Sequence, residues 1–362
     1  MLQVHNEMTR ERELRDEYKK SLQKLIAEER KKKANADDVR IGELQTLLAA
    51  HEEGAAIPQS PDDPALPGYL LLIDEPENAL HPMAARAAQR HLYKLAESAD
   101  WQVMMTTHSP YFVNPLEDHT TIVRLERKEG NDSSPIEPKT YRSDSIQFEG
   151  DDKKRLQALQ HIDPSLAEIF FGSYPVLVEG DTEHAAFLAS IVEAQHRLME
   201  QVTIVRARGK AILVALISIM RHFKIDFGVV HDCDPPYTSE GNANGMWTQN
   251  GRIHDAIIAA RADGVKVRHR VSIPDFERFL GGSEESKDKP LNTYRRVADD
   301  ELLAERVQVL LGDLLESEQH EPFPETKLPP NADYLFTLKE LVSTWAADNG
   351  MLSSLRYKGK DG

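Results

Sequence analysis

Apolar residues occur mainly in short continuous runs, and in the second half of the chain these runs alternate with stretches of helical spacing. The short runs predict strands over residues 69–73, 102–106, 121–125, 175–178, 202–206, 227–231 and 265–271. Helical spacing predicts helices over residues 84–97, 182–198, 211–223, 251–262, 298–318 and 335–347. Strands that alternate with helices form crossover units, so the pattern predicts an α/β fold on a parallel sheet. The first strand is apolar throughout and is expected to be buried on both faces.

The beginning of the chain is instead dense in Arg, Lys and Glu, with a narrow apolar stripe. Leu14, Tyr18, Leu22 and Leu25 are spaced by four, four and three residues, as on one face of a helix. Charge pairs four residues apart are mostly opposite in sign, which is typical of a solvated helix. Residues 1–54 are therefore predicted to form a helical arm, either a plain surface helix or a dimerisation element.

Two segments predict boundaries between domains. Residues 55–68 contain four prolines and are expected to form a loop. Residues 128–150 are polar and rich in turn-forming residues. Together these boundaries predict a middle domain over residues 55–150 and a later domain over residues 172–362.

Composition narrows the class of protein. The chain has 362 residues, 44 Lys and Arg against 60 Asp and Glu, and a net charge of −16, which argues against binding to DNA or membranes through bulk charge alone. The single cysteine, Cys233, excludes an internal disulfide and a cysteine-based zinc site. The longest strongly apolar stretch, residues 211–220, is about half of a membrane span, and the first residues lack the plan of a secretion signal. A cytoplasmic protein with no membrane partner is expected.

The first candidate site combines two strand ends in the middle domain. The apolar run 70–73 ends in Asp74 and Glu75, and the next strand ends in Thr107 and His108. A strand can deliver the first acid to a nucleotide-bound magnesium, and the second acid can polarise the attacking water. His108 lies at the end of its own strand, where it could contact a γ-phosphate. This order of acid pair and histidine predicts nucleotide chemistry.

With Asp-Glu-Pro-Glu-Asn-x-Leu-His-Pro at residues 74–82, followed by Thr-His-Ser, the chain resembles ATPases of the ABC/SMC-like group, in particular those of the OLD (overcoming lysogenization defect) family. The resemblance implies that Asp74 closes the Walker B motif, that Glu75 is the catalytic carboxylate and that His108 is the switch histidine. No Gly-x-x-x-x-Gly-Lys-Ser/Thr loop occurs, and residues 42–45 are only a poor remnant of the ABC signature. The middle domain is therefore expected to be the C-terminal part of an ABC-type ATPase lobe, and ATP to be a cofactor only if the missing loop is supplied.

The second candidate site gathers carboxylates at strand ends of the later domain. Glu179 follows strand 175–178 and Glu183 lies in the first turn of the next helix, while Asp232 and Asp234 follow strand 227–231. Ligands of an open parallel sheet bind at the carboxyl ends of its strands, so these acids should converge, joined by Asp275 or Glu277 after the last strand. Clustered carboxylates need cations, and oxygen ligands favour Mg²⁺ or Mn²⁺. Two ions would support phosphoryl transfer.

This segment resembles the Toprim domain of topoisomerases, primases and OLD-family nucleases, over residues 172–362. Within the resemblance Glu179 matches the invariant glutamate, and Asp232 and Asp234 match the Asp-x-Asp motif. Further metal ligands implied by the resemblance are Glu183, Glu277, Asp181 and Asp275. Implied phosphate-contacting lysines are Lys210 in a Gly-Lys element and Lys358 and Lys360 in the terminal basic element. The fold expected is a Rossmann-like parallel sheet flanked by helices.

The resulting expectation is a metal-dependent DNA endonuclease of the OLD family coupled to an incomplete ATPase module. DNA would be the substrate, the chain would form a dimer through its ATPase part or helical arm, and a defence-system partner protein is possible. Bacterial phage defence or DNA repair is the setting that the resemblance implies. Two alternatives remain: a non-catalytic assembly module whose partner chain supplies the missing loop, and a Toprim primase or topoisomerase.

Five other residues near the acids have local predictions. Cys233 and His231 alternate with the acids along the strand and are expected to point away from them, into the sheet. Tyr237, Trp247 and Phe276 could stack on bases, although loop aromatics more often pack locally.

Overall fold

The chain divides into two compact units in its structure, a computed structural model. The structure describes residues 2–32, 37–53, 69–98, 101–127, 136–148, 150–162, 164–171, 174–282, 287–316 and 333–360. The first unit comprises Met1–Leu71 and Ala96–Gln102, and the second comprises Leu72–Leu95 and Val103–Gly362. The predicted loop over residues 55–68 lies outside the described residues, as do residues 128–135 of the second predicted boundary.

A helical hairpin makes up most of the first unit. Helix α1 (Leu2–Lys31) packs against α2 (Asp38–Glu52). Their apolar faces meet at Leu22, Ile26 and Leu44, which are buried. The side chain of Asp37 accepts hydrogen bonds from the first backbone N–H groups of α2 and so caps that helix. The predicted remnant of an ABC signature, residues 42–45, lies inside α2.

Strands β1 (Tyr69–Asp74) and β2 (Trp101–Thr106) form a two-stranded sheet, and α3 (Pro82–Ala96) connects them. Burial alternates along both strands, and Leu70, Leu72 and Met104 are 57%, 65% and 62% exposed. The prediction that β1 is buried on both faces is therefore wrong. Within the described residues only one face of this sheet is covered, and such a strand alternates between inward and outward positions even where every residue is apolar.

Strands β3 (Thr121–Arg127) and β4 (Ile136–Arg142) form an antiparallel pair in which Thr121 lies opposite Arg142. A 3₁₀ turn (Ser143–Ser145), α4 (Asp152–Ile162) and a second 3₁₀ turn (Pro164–Phe170) follow. The sequence did not predict β4 or α4, because charged and polar residues interrupt their apolar patterns. The segment that the sequence marks as a polar boundary therefore contains a strand.

A four-stranded parallel sheet organises the rest of the second unit. Its strands are β5 (Tyr174–Val178), β6 (Val202–Arg206), β7 (Phe227–Asp232) and β8 (Val267–Ser272), in the order β6-β5-β7-β8. The register places Val178 beside Arg206 and Asp232 beside Ser272. All three pairings are parallel, so the carboxyl ends of the strands lie along one edge. The predicted α/β fold on a parallel sheet is confirmed.

Helices flank this sheet on both faces: α5 (Asp181–Phe187), α6 (Lys210–His222), α7 (Gly245–Ala262), α8 (Phe276–Phe279), α9 (Lys289–Asp299), α10 (Glu301–Glu316), α11 (Tyr334–Asp348) and α12 (Leu355–Lys358). The predicted helix 182–198 is shorter in the structure, because α5 passes into a π-helical turn at Leu188–Glu193 and then a 3₁₀ turn at Arg197–Glu200. The predicted helix 298–318 is interrupted. Asp300 separates α9 from α10, and its side chain accepts from the N–H groups of Leu302 and Leu303, as an N-cap does.

The core lies on both faces of the parallel sheet, because alternate strand residues point to opposite sides. Leu177 and Val229 face a cluster that contains residues of α6, such as Leu216, and residues of α7, such as Ile257. Val176 and Val230 face the other cluster, with residues of α5 and α10. Burial on both faces explains the continuous apolar strands of this domain. Among the residues described, no helix is long and apolar enough to cross a membrane.

Candidate metal centre at the carboxyl edge of the sheet

Glu179 and Glu183 are brought together by the turn between β5 and α5. Glu179 follows the last residue of β5, and Gly180 leads into the helix. Glu183 lies in the first turn, where its Oε2 accepts a hydrogen bond from the N–H of Gly180 at 3.1 Å. This local bond turns the Glu183 carboxylate back toward the strand end. The acid at position i and the acid at position i+4 therefore share one edge of the sheet.

Asp232 ties this turn to the neighbouring strands. It is the last residue of β7, and its backbone N–H donates to Oε2 of Glu179 at 3.1 Å. Its Oδ1 accepts from the N–H of Phe276 at the start of α8, at 2.8 Å. Three strand ends are thus connected through two carboxylates.

The three acids Glu179, Glu183 and Asp232 form one cluster, which we call the carboxylate trio. One carboxylate oxygen from each lies within 4.8 Å of the others. Within the part of the chain that the structure describes, no basic side chain forms an ion pair with any member of the trio.

Burial and mutual repulsion change the pKa values of the trio. Burial, the largest cause, raises the pKa of Glu179 to about 7, with Lys210 opposing and Asp234 adding to the shift. Burial followed by the charge of Glu179 raises the pKa of Glu183 to about 8. Burial, followed by the charges of Glu183 and Glu179, holds the pKa of Asp232 well above its usual range. A cation between these oxygens would restore the ionised forms, so the donor set fits a hard metal ion.

The other predicted acids have basic partners, listed here with their distances: Asp234 with buried Lys210 at 2.8 Å, Asp275 with Arg278, Glu277 with Lys289 at 3.1 Å, and Asp181 with Arg206 at 3.3 Å. Asp275 also caps α8, because its Oδ1 accepts from the N–H of Arg278. Asp275 and Glu277 remain electrostatically part of the cluster, since their charges raise the pKa of Asp232 and of Glu179 respectively. Asp181 instead lies on the exposed side of the first turn of α5.

The predicted lysines lie in different settings. Lys210, the first residue of α6, is fully buried, and its Nζ also donates to the carbonyl of Cys233 at 3.1 Å. Lys360 is exposed, and its Nζ donates to Oδ1 of Asn242 at 2.7 Å. Lys358 is exposed at the end of α12. The terminal segment also accepts a hydrogen bond from Tyr237 N–H at the carbonyl of Arg356, so it packs on the loop that follows Asp234.

Residues between the acids point away from the trio, as the alternation predicts. Cys233 is buried among Val271 and other apolar side chains, and burial raises the pKa of its thiol well above the usual range. His231 is buried, and its Nε2 lies 2.8 Å from Nε2 of His269, while its Nδ1 donates to the carbonyl of Asp232 at 2.7 Å. Burial lowers the pKa of both histidines, His231 to about 3, so both stay neutral at neutral pH.

Sequence reasoning missed two buried contacts behind the site, His269 and Asn250. Asn250 donates to the carbonyl of Cys233 at 2.8 Å. Both are polar residues inside otherwise apolar strand or helix patterns, and that feature of the sequence could have indicated a buried polar contact. Of the aromatic candidates, Phe276 packs edge-on against Phe187, and Trp247 packs against the cluster around Cys233.

The predicted nucleotide residues also meet at strand ends. Thr106 donates its hydroxyl to Oδ1 of Asp74, and the N–H of Glu75 donates to the carbonyl of Thr106 at 3.1 Å. Nε2 of His108 lies 3.6 Å from Oε1 of Glu75, and the His108 side chain is 87% exposed. The end of β1 and the end of β2 therefore present Asp74, Glu75 and His108 together.

Glu77 fixes this arrangement and was not predicted to do so. Its Oε1 accepts from the N–H of His108 at 2.7 Å, and its Oε2 accepts from the hydroxyl of Thr107 at 2.8 Å. The turn after β1 is thereby tied to the segment after β2. Glu77 positions the histidine, while Glu75 contacts its ring.

The open parallel sheet with acids at its carboxyl edge is typical of a Toprim-type domain. The paired strand ends that precede it in the chain, with Asp-Glu on one and His on the other, are typical of an ATPase segment. Comparisons with known proteins agree with that class. Residues 62–113 match the AAA ATPase domain, and residues 170–234 match the Toprim domain of overcoming lysogenization defect protein-like proteins. The first match contains the nucleotide residues, and the second contains the carboxylate trio.

The OLD nuclease of Thermus scotoductus (strain ATCC 700910 / SA-01) is 29% identical to this chain over 227 residues. The aligned region is 61% of this chain and 42% of that relative, so the chain spans less than half of the relative's length. These matches confirm the resemblance to the OLD family, with an AAA ATPase segment followed by an OLD-like Toprim domain.

Proposed function

We propose that this chain is a metal-dependent nuclease that hydrolyses phosphodiester bonds of DNA at the carboxylate trio. The single observation that carries the proposal is the trio itself. Three carboxylates, that of Glu183 buried and those of Glu179 and Asp232 partly buried, lie within 4.8 Å of one another with no basic ion-pair partner among the described residues, and their pKa values are raised. Such a cluster is costly unless a cation binds it. The similarity to an OLD nuclease supports DNA as the substrate.

Glu179, Glu183 and Asp232 would hold one Mg²⁺ or Mn²⁺ ion, and Asp234, Asp275 and Glu277 would contribute ligands to a second. Bound divalent ions supply a water nucleophile at neutral pH and neutralise charge on the phosphate. Buried Lys210 holds Asp234 in place through their 2.8 Å ion pair. Exposed Lys358 and Lys360 are candidates to contact the DNA backbone, and Asp181 is a candidate outer ligand.

Incubation with supercoiled plasmid in Mg²⁺, Mn²⁺ or EDTA tests this function. We expect nicking by the wild type with either ion, none in EDTA, and loss of nicking in Asp232→Asn and in Glu179→Gln. Asp255→Asn is a matched control, because Asp255 is an exposed acid on α7. Nicking that survives the double change at Glu179 and Asp232 would refute the site.

We propose that the ATPase segment regulates access to DNA. Asp74, Glu75 and His108 would act on ATP only when a phosphate-binding loop is supplied. Phage defence or DNA repair, together with a partner protein, is the proposed setting, and the cytoplasm is the proposed location.

A second candidate function, assembly through the ATPase segment, is favoured by the exposed apolar residues Leu72 and Met104 on β1 and β2. An apolar sheet face of this kind commonly marks a protein interface. We propose that the chain forms a dimer through this face or through the α1–α2 hairpin. Light scattering of the wild type and of Leu72→Glu tests it: a dimer lost in the variant supports this face, and an unchanged dimer excludes it.

A further inference from the structure

The acids beside the carboxylate trio differ in how firmly their basic partners are held. Lys210, the partner of Asp234, has no exposed side-chain surface. Arg278, the partner of Asp275, lies three residues away on the same short helix. Lys289, the partner of Glu277, comes from a different helix, α9, and 36% of its side chain is exposed. Of these three cations, Lys289 is therefore the one that can leave without rebuilding the core.

The position of Lys289 on α9 is electrostatically unfavourable on its own. Lys289 is the first residue of that helix, where backbone N–H groups make the end positive, and the first turn contains no acidic residue. A lysine there is repelled by the helix end. Its ion pair with Glu277, at 3.1 Å between Nζ and Oε1, offsets that repulsion.

Glu277, the acid that Lys289 neutralises, lies close to the carboxylate trio. Its side chain is only 9% exposed, and it lies in α8 directly after Phe276, whose N–H donates to Oδ1 of Asp232 in the trio at 2.8 Å. An ion bound between Glu277 and the trio would compete with the ammonium of Lys289 for the same carboxylate. Two cations sharing one small site repel each other.

We propose that Lys289 is the displaceable counter-charge of a second metal site at Glu277: it neutralises Glu277 before the ion arrives and leaves the carboxylate when the ion binds. This inference rests on the proposed function. Lys289 is a positioning residue in this scheme, because it acts on the second ion through Glu277. It makes the trio the first site to fill and the Glu277 site the second.

Calorimetric titration of the whole chain with Mn²⁺ tests the assignment by counting bound ions and measuring each affinity, without any activity readout. The wild type is expected to bind one ion more tightly than the other. In Lys289→Met the weaker site should tighten about fivefold, the scale of one partly exposed ion pair, with the tighter site unchanged. Lys289→Arg retains the charge and should match the wild type, and Glu277→Gln should lose the weaker site.

Lys287→Met is the matched control, because Lys287 is exposed and lies two residues from Lys289, and because its replacement changes the net charge by the same amount. Equal tightening in Lys287→Met, or no tightening in Lys289→Met, overturns the assignment. Thermal unfolding of each variant confirms that it folds. The tighter site reports on the proposed function separately. If Glu183→Gln still binds Mn²⁺ at the tighter site, the trio is not the metal centre. If Lys289→Met binds both ions with the affinities of the wild type, only the role of Lys289 is overturned.

Discussion

Removing one charge from the carboxylate trio should stabilise the metal-free protein at alkaline pH. We consider Glu183→Gln, which keeps an oxygen acceptor for the N–H of Gly180 and removes the ionisable proton. In the folded wild type, Glu183 and Glu179 have pKa values of about 8 and about 7, against 4.5 for an ordinary glutamate. At pH values between the ordinary pKa of 4.5 and the raised pKa values, the folded protein keeps protons that the unfolded chain has lost. Stability therefore falls as pH rises through this window and levels off above about pH 8.

The size of the effect follows from about 1.4 kcal/mol for each pKa unit. Glu179 alone corresponds to roughly 3 kcal/mol and Glu183 alone to roughly 5 kcal/mol. The charge of Glu179 is one cause of the raised pKa of Glu183, so the two figures share one repulsion and are not added. We expect Glu183→Gln to recover about 3–5 kcal/mol at pH 8.5 and almost nothing at pH 4.5.

Thermal unfolding of wild type and variant across this pH range, in EDTA, measures the difference. For a domain of this size a gain of about 3 kcal/mol raises the unfolding midpoint by roughly 6–12 °C. Glu305→Gln is the control, since Glu305 is exposed on α10 and should shift nothing with pH. In Mg²⁺ the order should reverse, because only the wild type gains binding energy from the ion. A variant whose midpoint differs from wild type by the same amount at pH 4.5 and pH 8.5 would refute the reasoning.

The remaining predictions concern neighbouring features. Lys210→Met should cost about 3–5 kcal/mol by leaving Asp234 unpaired, and adding Asp234→Asn should restore the unfolding midpoint without restoring nicking. Because burial keeps the pKa of His269 well below 6.5, unfolding should become easier as pH falls below about 6.5, and His269→Gln should weaken that dependence in acid titrations of stability. ATP titration of the chain should give weak or no binding, and micromolar affinity would contradict this. DNA binding in a filter assay should require a divalent ion, with Ca²⁺ as a probe, and undiminished binding in EDTA would contradict it.

Much of the parallel-sheet domain could be predicted because its strands are buried on both faces. The predicted strand 202–206 matches β6, and the predicted strand 227–231 stops one residue before the end of β7 at Asp232. In a parallel sheet the strand ends define the site, so correct strand ends place Glu179 and Asp232 on one edge. The strand topology alone therefore predicts that these acids, which are distant in sequence, lie close together, and no side-chain contacts are needed for that prediction.

The partner of each acid could not be predicted, because such partners come from elements whose positions depend on tertiary packing. Lys289 is the first residue of α9, of which the sequence pattern predicted only the last two residues, and Arg278 lies on a helix of four residues. The exposure of Leu72 on β1 was missed for a related reason. An apolar run shows that a strand can be buried on both faces, but whether each face is covered depends on the neighbouring elements.

The net charge of −16 and a DNA substrate are compatible once charges are assigned to the sheet edge. The carboxylate trio together with Asp234, Asp275 and Glu277 carries six acids, against the three cations Lys210, Arg278 and Lys289, so the fully ionised edge has a net charge of −3. A phosphate would be repelled there, and burial opposes full ionisation in any case. About two divalent ions would bring the edge to a charge of about +1 and would free the ammonium of Lys289. Ion loading thus changes the sign of the surface that meets the phosphate, which is why DNA binding should depend on the ion and why a strongly acidic chain needs no basic face.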